Sequence, residues 1–173
     1  MTPKIKTLLA LVAVIVPLDQ ITKSLVASSI ERGSYWAPFP SLEGFFRITH
    51  ARNSGAALGL AQGLPVFVFI GLVAVALVMV GSFFRRIDPN DRLSATSLGL
   101  IVAGALGNLS DRIFRGGEVV DFLQFNLGLF IFPDFNVADM AISIGVALLL
   151  LDVVTHETEQ GVTRKNATGE KEG

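Results

Sequence analysis

Asp121 and Asp139 are two carboxylates set beside long apolar runs, in Val119-Val120-Asp121-Phe122 and Phe135-Asn136-Val137-Ala138-Asp139. An ionised carboxylate near a bilayer is costly to keep, which makes each of them a candidate functional group. Two together suit acid/base chemistry, because neighbouring carboxylates tend to hold one proton between them. One member can then accept a proton while the other donates. Asn136 and Asp139 also have a plainer reading. An Asn with an acid three positions on is a helix N-cap pattern, and the helix dipole favours negative charge there. At this level the capping and catalytic readings of Asp139 both stand.

Other polar residues fall inside apolar segments at helical spacing. Asp19 and Lys23 are four apart, so they share a helix face and can form an ion pair. That pair is either structural or a device that orients the site or a lipid phosphate. Gly99, Ala103 and Gly107 recur every four residues and let a neighbouring helix approach closely. Asn108 and Arg112 are also four apart, close to that face and near the end of the same segment. Asn and Arg buried in lipid must find partners, and a carboxylate site would supply them. Arg112 can alternatively extend its stem and place its guanidinium among headgroups. The chain has no cysteine and two histidines, His50 and His156, far apart in sequence. Disulfides, thiolate zinc sites and cysteine nucleophiles are excluded, and a histidine metal centre or serine triad is disfavoured. No metal or other cofactor is expected.

The elements that must position these groups are membrane helices. Of 173 residues, 51% are hydrophobic and 17% charged, with a mean hydropathy of +0.58. A soluble domain carries about 25% charged residues, so the deficit points to an integral membrane protein. Four segments are long enough to cross a hydrocarbon core, which takes roughly 20 helical residues. They cover about 5–27, 65–84, 93–114 and 136–154, and spanning segments of this kind are helical because their backbone groups must be satisfied internally. Lys4 and Lys6 before the first apolar run resemble the start of a signal peptide, but Asp19 and Lys23 follow directly, so the segment is read as a retained span.

Basic residues orient the bundle. Lys4 and Lys6, the cluster Arg85, Arg86 and Arg92, and Arg164, Lys165 and Lys171 all fall on one side, read as cytoplasmic. Both termini are then cytoplasmic, with outer loops 28–64 and 115–134. Arg32, Arg47 and Arg52 in the first outer loop weaken this contrast. Phe45 to His50 suits a short strand, while Tyr35, Trp36, Phe39, Phe45 and Phe46 suit an aromatic cluster at the interface. Phe122 to Phe135 is apolar but broken by Gly128 and Pro133, and is expected to lie along the membrane or line a pocket. The polar tail 155–173 is expected to be disordered. A net charge of -1 gives no reason to expect nucleic-acid binding.

On residue chemistry alone, a peptidase, a small transporter relaying protons through Asp19, Asp111, Asp121 and Asp139, and a scaffold glued by polar contacts all remain open. Five blocks resolve them. Asp19-Gln20-Ile21-Thr22-Lys23, Asn53-Ser54-Gly55-Ala56-Ala57, Gly104 through Arg112, Val119 through Phe122, and Phe135 through Asp139 occur in one order across nearly the whole chain. In this the sequence resembles the lipoprotein signal peptidase family, signal peptidase II, of the bacterial inner membrane.

The resemblance implies an all-α membrane protein of four transmembrane helices with a small extracytoplasmic β platform in the first outer loop. It implies an aspartic endopeptidase that removes the signal peptide of prolipoproteins, cutting before a diacylglyceryl-modified cysteine. Asp121 and Asp139 would be the catalytic pair. Asn53, Gly55, Gly107, Asn108, Arg112, Asn136 and Ala138 would line or support the site, with Asp19 and Lys23 a structural ion pair. Lipidated prolipoproteins and membrane lipids would be its partners, met by a single chain acting as a monomer. Leu58 departs mildly from the pattern, since an aromatic often follows the second block.

Overall fold

The computed structural model describes the backbone of residues 1–55 and 65–169 and the side chains of these up to residue 154. Ala56, Ala57 and Leu58 lie outside the described residues. The elements run α1 (Pro3–Ser29), β1 (Tyr35–Trp36), a short 3-10 turn (Pro40–Leu42), β2 (Phe46–Asn53), α2 (Val66–Arg86), α3 (Arg92–Phe114), β3 (Val119–Phe125) and α4 (Val137–Gly169). Within these, Pro3–Ser29, Val66–Arg86, Arg92–Phe114 and Val137–Val154 are long and apolar enough to cross a membrane. The protein is thus an all-α membrane fold of four spans with a small sheet.

α3 is the axis of the bundle and packs mainly against α4 and α1, while α2 touches only its flank. Two close approaches depend on missing side chains. A Cβ on Gly104 would collide with the carbonyl oxygen of Ala138, and one on Gly107 would lie 2.8 Å from an Asp19 carboxylate oxygen and 3.1 Å from the Ala138 Cβ. Gly107 of the small-residue stripe therefore brings α3 against both neighbours at the level of the polar residues, and Gly104, beside the stripe, brings it against α4. α2 is lipid-like over most of its surface: Phe67, Leu72, Val75, Val78 and Met79 are each more than half exposed.

The ends of the bundle differ. At one end the Lys4 ammonium donates to the Phe84 and Ile87 carbonyls at 2.9 and 2.8 Å, satisfying the C-terminus of α2. Asp91 caps α3 there by accepting from the Ser94 N–H, and the Ser94 hydroxyl donates to Asp152 of α4. The start of α1 and the end of the fourth span thus share one end, while Asp19, Asp111, Asp121 and Asp139 cluster towards the other.

At that other end lies a three-stranded antiparallel sheet in the order β1-β2-β3. Val120 and Phe122 of β3 bury against Val26 of α1, with Ile30, Ile48 and Val137 packed around them. The strand expected at Phe45–His50 is β2. β3 went unrecognised in the sequence, because Phe122 to Phe135 reads as one broken apolar stretch. Phe122 to Phe125 is instead strand, and the chain then turns back so that Leu123 bridges Phe135 and Asn126 bridges Ile131.

The aromatic grouping also differs from expectation. Phe45 and Phe46 pack on Phe125 at 5.4 and 5.0 Å between centroids, and Phe125 continues to Phe135. Tyr35 belongs elsewhere, under the Arg47 guanidinium and hydrogen-bonded to Glu43. α4 departs as well. It is helical to Gly169, through most of the tail expected to be disordered. Once a span has supplied the nucleus, each further residue adds one hydrogen bond, so a helix can run on past its apolar segment.

Candidate active site

The sheet and the start of α4 deliver the two aspartates to one place. On β2 and β3, Ala51 is opposite Asp121 and Asn53 is opposite Val119, so Asn53 and Asp121 are diagonal neighbours on one face. The Asn53 amide donates to Asp121 Oδ2 at 3.0 Å. A register irregularity between Ile48 and Ala51 sets that alignment. Asp139 sits in the first turn of α4. Its main-chain N–H donates to Asn136 Oδ1 at 2.9 Å, and the Asn136 main-chain N–H donates back to Asp139 Oδ2 at 3.3 Å. The capping pattern read from sequence is therefore formed.

Capping and site building turn out to be one arrangement. With its oxygen held by the Asp139 N–H, the Asn136 side chain must point its NH₂ the other way. That group donates to Asp121 Oδ1 at 2.6 Å and reaches the Val120 carbonyl at 3.3 Å. One fully buried amide thus ties the two aspartates together. Asn108 supplies a second tie: its NH₂ donates to Asp139 Oδ1 at 2.7 Å.

Behind the pair lies a buried ionic cage. Lys23 contacts Asp19 at 2.8 Å and Asp111 at 3.2 Å, and all three side chains are fully buried. Its third donor goes to Asn108 Oδ1 at 3.0 Å. Arg115 and Gln20 complete the coordination of Asp111 Oδ1 at 3.1 and 2.9 Å. Each cage carboxylate also holds a backbone N–H one residue before a site aspartate. Asp19 Oδ1 accepts from Ala138 N at 2.9 Å, and Asp111 Oδ2 accepts from Val120 N at 3.0 Å. Arg112 stands to one side, stacked 4.4 Å over the Phe69 ring and donating to the Gly55 carbonyl at 2.7 Å. Gly55 in turn donates its N–H to Asn53 Oδ1 at 2.9 Å.

Comparison with known proteins decides the family. The family model for signal peptidase (SPase) II matches residues 11–155. The chain belongs to the signal peptidase II family. It is 41% identical over 164 residues to a lipoprotein signal peptidase of Geobacter metallireducens, covering 92% of this chain and 98% of that one. It is 38% identical over 151 residues to one from Geobacillus thermodenitrificans, covering 87% and 91%. Two solved bacterial membrane enzyme structures superpose with TM-scores of 0.81 and 0.75. They are 32% and 34% identical, covering 90% and 86% of this chain and 92% and 93% of theirs. The transport and scaffold readings fall away.

In this chain the residues expected from sequence to line or support the site, all of them among the described residues, take part in one connected network. Ala138 and Gly107 contribute backbone and space, and the others contribute side chains or, for Gly55, peptide groups. Sequence reading gave Asp111 only a rival proton-relay role and missed Gln20 and Arg115. The spacing of Asp111 and Arg115, four apart, was the available signal for an ion pair. Gln20 carried none, since an amide facing lipid and one facing a cage look alike in sequence.

Asp121 lies on β3, outside the spans. Burial and then the neighbouring Asp139 charge push its carboxyl from 3.8 up to about 6, against the Asn53 and Asn136 hydrogen bonds and the Lys23 charge. The folded protein therefore holds this proton more tightly than the unfolded chain. The associated stabilisation is complete below about pH 4 and is lost as pH rises through about 6. Asp121→Asn removes that titration and adds a pH-independent cost from an amide facing two donors. The stability of the variant relative to the unsubstituted protein should rise between about pH 4 and pH 7 by up to ~3 kcal/mol. Thermal unfolding in detergent across that range measures it, and a flat difference would mean that ionised Asp121 is not strained.

Proposed function

We propose that this protein removes the signal peptide from diacylglyceryl-modified prolipoproteins, cutting before the lipidated cysteine, with Asp121 and Asp139 as the catalytic pair. The observation that carries this reading is the Asn136 amide group, which binds one carboxylate through its NH₂ and caps the other through its oxygen. Two carboxylates so joined, in a site walled by apolar helices, match what metal-free peptide hydrolysis requires.

The pair holds one proton, and the roles belong to the pair as a unit. The ionised member takes a proton from water as the water oxygen bonds to the scissile carbonyl carbon. The protonated member gives its proton to the carbonyl oxygen, forming a neutral tetrahedral diol. As the C–N bond breaks, the protonated aspartate gives its proton to the cysteine nitrogen, which leaves as the new amino terminus, and a diol hydroxyl gives its proton to the ionised aspartate as the C=O bond re-forms. The other product is the carboxyl end of the signal peptide, and one proton remains on the pair. Removal from water strengthens every hydrogen bond to the developing oxygen charge.

The location of the pair fits a substrate that arrives in the membrane. The diacylglyceryl chains can remain among lipid while the scissile bond enters laterally, and the apolar core of the signal peptide can lie against the helices. Arg112, at the same end and held by Gly55, is placed to steady polar parts of the lipidated substrate. Basic clusters at the opposite end support cytoplasmic termini in the bacterial inner membrane, with the site at the extracytoplasmic face. One chain supplies every group named, so a monomer suffices.

The test is cleavage of a purified diacylglyceryl-modified prolipoprotein in detergent or proteoliposomes, with products sized by mass spectrometry. The expected product begins at the lipidated cysteine, the unlipidated precursor is left uncut, and chelation by EDTA leaves the rate unchanged. Cleavage elsewhere, or activity lost to EDTA and restored by zinc, would defeat the reading.

A further inference from the structure

Lys23 touches neither site aspartate, yet its bonding pattern governs one of them. An ammonium has three donors and no acceptor. All three are used: on Asp19 Oδ2 at 2.8 Å, Asp111 Oδ2 at 3.2 Å and Asn108 Oδ1 at 3.0 Å. The third contact fixes the orientation of an amide that could otherwise turn over. With its oxygen held on Lys23, and accepting a second, 3.3 Å bond from Asn136, Asn108 can present only NH₂ to Asp139. Turned by half a rotation, the same side chain would offer an oxygen, which suits a protonated carboxyl and repels an ionised one.

We infer that Lys23 is a positioning residue for the reaction, acting through Asn108 to commit a donor to Asp139 and so hold the proton distribution of the pair. This rests on the assignment of Asp121 and Asp139 as that pair. It goes beyond an ion pair that merely stabilises the bundle, because the third donor that a buried ammonium must satisfy is satisfied on the very amide that bonds Asp139. The charged groups facing this cluster are Asp19 on α1, Asp111, Arg112 and Arg115 on α3, Asp121 on β3 and Asp139 on α4. Among them Lys23 is the one that donates to the side-chain oxygen of an amide bonding a site aspartate, whereas Arg112 reaches the main-chain carbonyl of Asn108, at 3.4 Å.

A mutant cycle tests it. Because Lys23→Met alone would strand two buried carboxylates, the change is made on an Asp111→Asn background, so that the double variant leaves Asp19 as the single cage carboxylate against Arg115 and restores the net charge of the unsubstituted cage. Relative to Asp111→Asn, adding Lys23→Met should lower kcat by about 30-fold, the scale of one hydrogen bond to a charged group, with KM changed less than about threefold. The pH–rate profile should move to higher pH, since a cation and a committed donor favouring the ionised form are both removed. With Asn108→Ala also present, the same Lys23→Met step should cost less than about threefold in kcat, because its route to Asp139 is already cut.

An equal loss in both backgrounds, or a folded Lys23 variant with unchanged kcat and pH profile, would overturn the inference. If the Lys23 change prevents folding, Asn108→Ala alone keeps every cage charge and tests the last link of the route. It should show the same kcat loss and alkaline shift, and an unmoved pH profile would overturn the proposal. Failure of the pair assignment itself is separately visible, as near-normal cleavage by Asp121→Asn or Asp139→Asn.

Discussion

Asp121→Asn and Asp139→Asn are each expected to lower cleavage of a lipidated preprotein by at least about a thousandfold while the protein still inserts and folds. Either change removes one member of a unit that must hold a single mobile proton, and an amide can neither take a proton from water nor give one to a carbonyl oxygen. The substitution is nearly the same size and leaves the helix packing untouched, so the cost of setting one NH₂ against a neighbouring donor lowers stability without unmaking the fold. Asp121 is bonded by Asn53 and Asn136, and Asp139 by Asn108 and Asn136. Retention of monodisperse behaviour and a cooperative thermal transition would separate lost chemistry from lost structure. Processing at more than about a tenth of the normal rate by either purified variant would sink the assignment.

Gly104→Ala should have the second-largest effect, and by a different route. A Cβ at that position meets the Ala138 carbonyl oxygen and lies 2.6 Å from the Ile142 side chain. A backbone carbonyl cannot swing aside, so α4 must move outward, at a cost of about 1–3 kcal/mol. The contact falls one residue before Asp139. A displacement of the reacting group by about an ångström costs about a hundredfold in rate. Thermal stability and kcat should therefore fall together. Gly71→Ala is the matched control: nothing lies within 4 Å of its added Cβ. Alanine is the better helix former, so this change should be neutral or stabilising by up to about 1 kcal/mol, with activity intact. Equal effects from the two would mean that the α3–α4 approach does not set the site.

The four spans were legible because transfer of apolar surface out of water needs only composition and length, and the observed helices start and stop within a few residues of the expected limits, apart from the C-terminal end of α4. Asp121 and Asp139 stood out as candidates for a related reason, since carboxylates beside membrane segments are expensive, and the fold brings both onto Asn136. The ion pair of Asp19 and Lys23 followed from helical spacing, and it forms at 2.8 Å. Strand β3 was not legible, since a strand packed against α1 on one face and paired to β2 has no alternation to separate it from an apolar loop.

What the residue string determined by itself was the bundle, the small-residue stripe and the short-range partners, all governed by spacings of three or four along one helix. Only the folded chain decided which distant groups meet. Asp19 reaches the N–H of Ala138 and Lys23 reaches Asn108 because α1 and α4 close on a nearly smooth face of α3. The orientations of Asn108 and Asn136 were decided there too. An amide has a donor end and an acceptor end of almost equal size, and which end faces a carboxylate depends on what holds the other. That information resides in three-dimensional neighbours, and no linear pattern carries it.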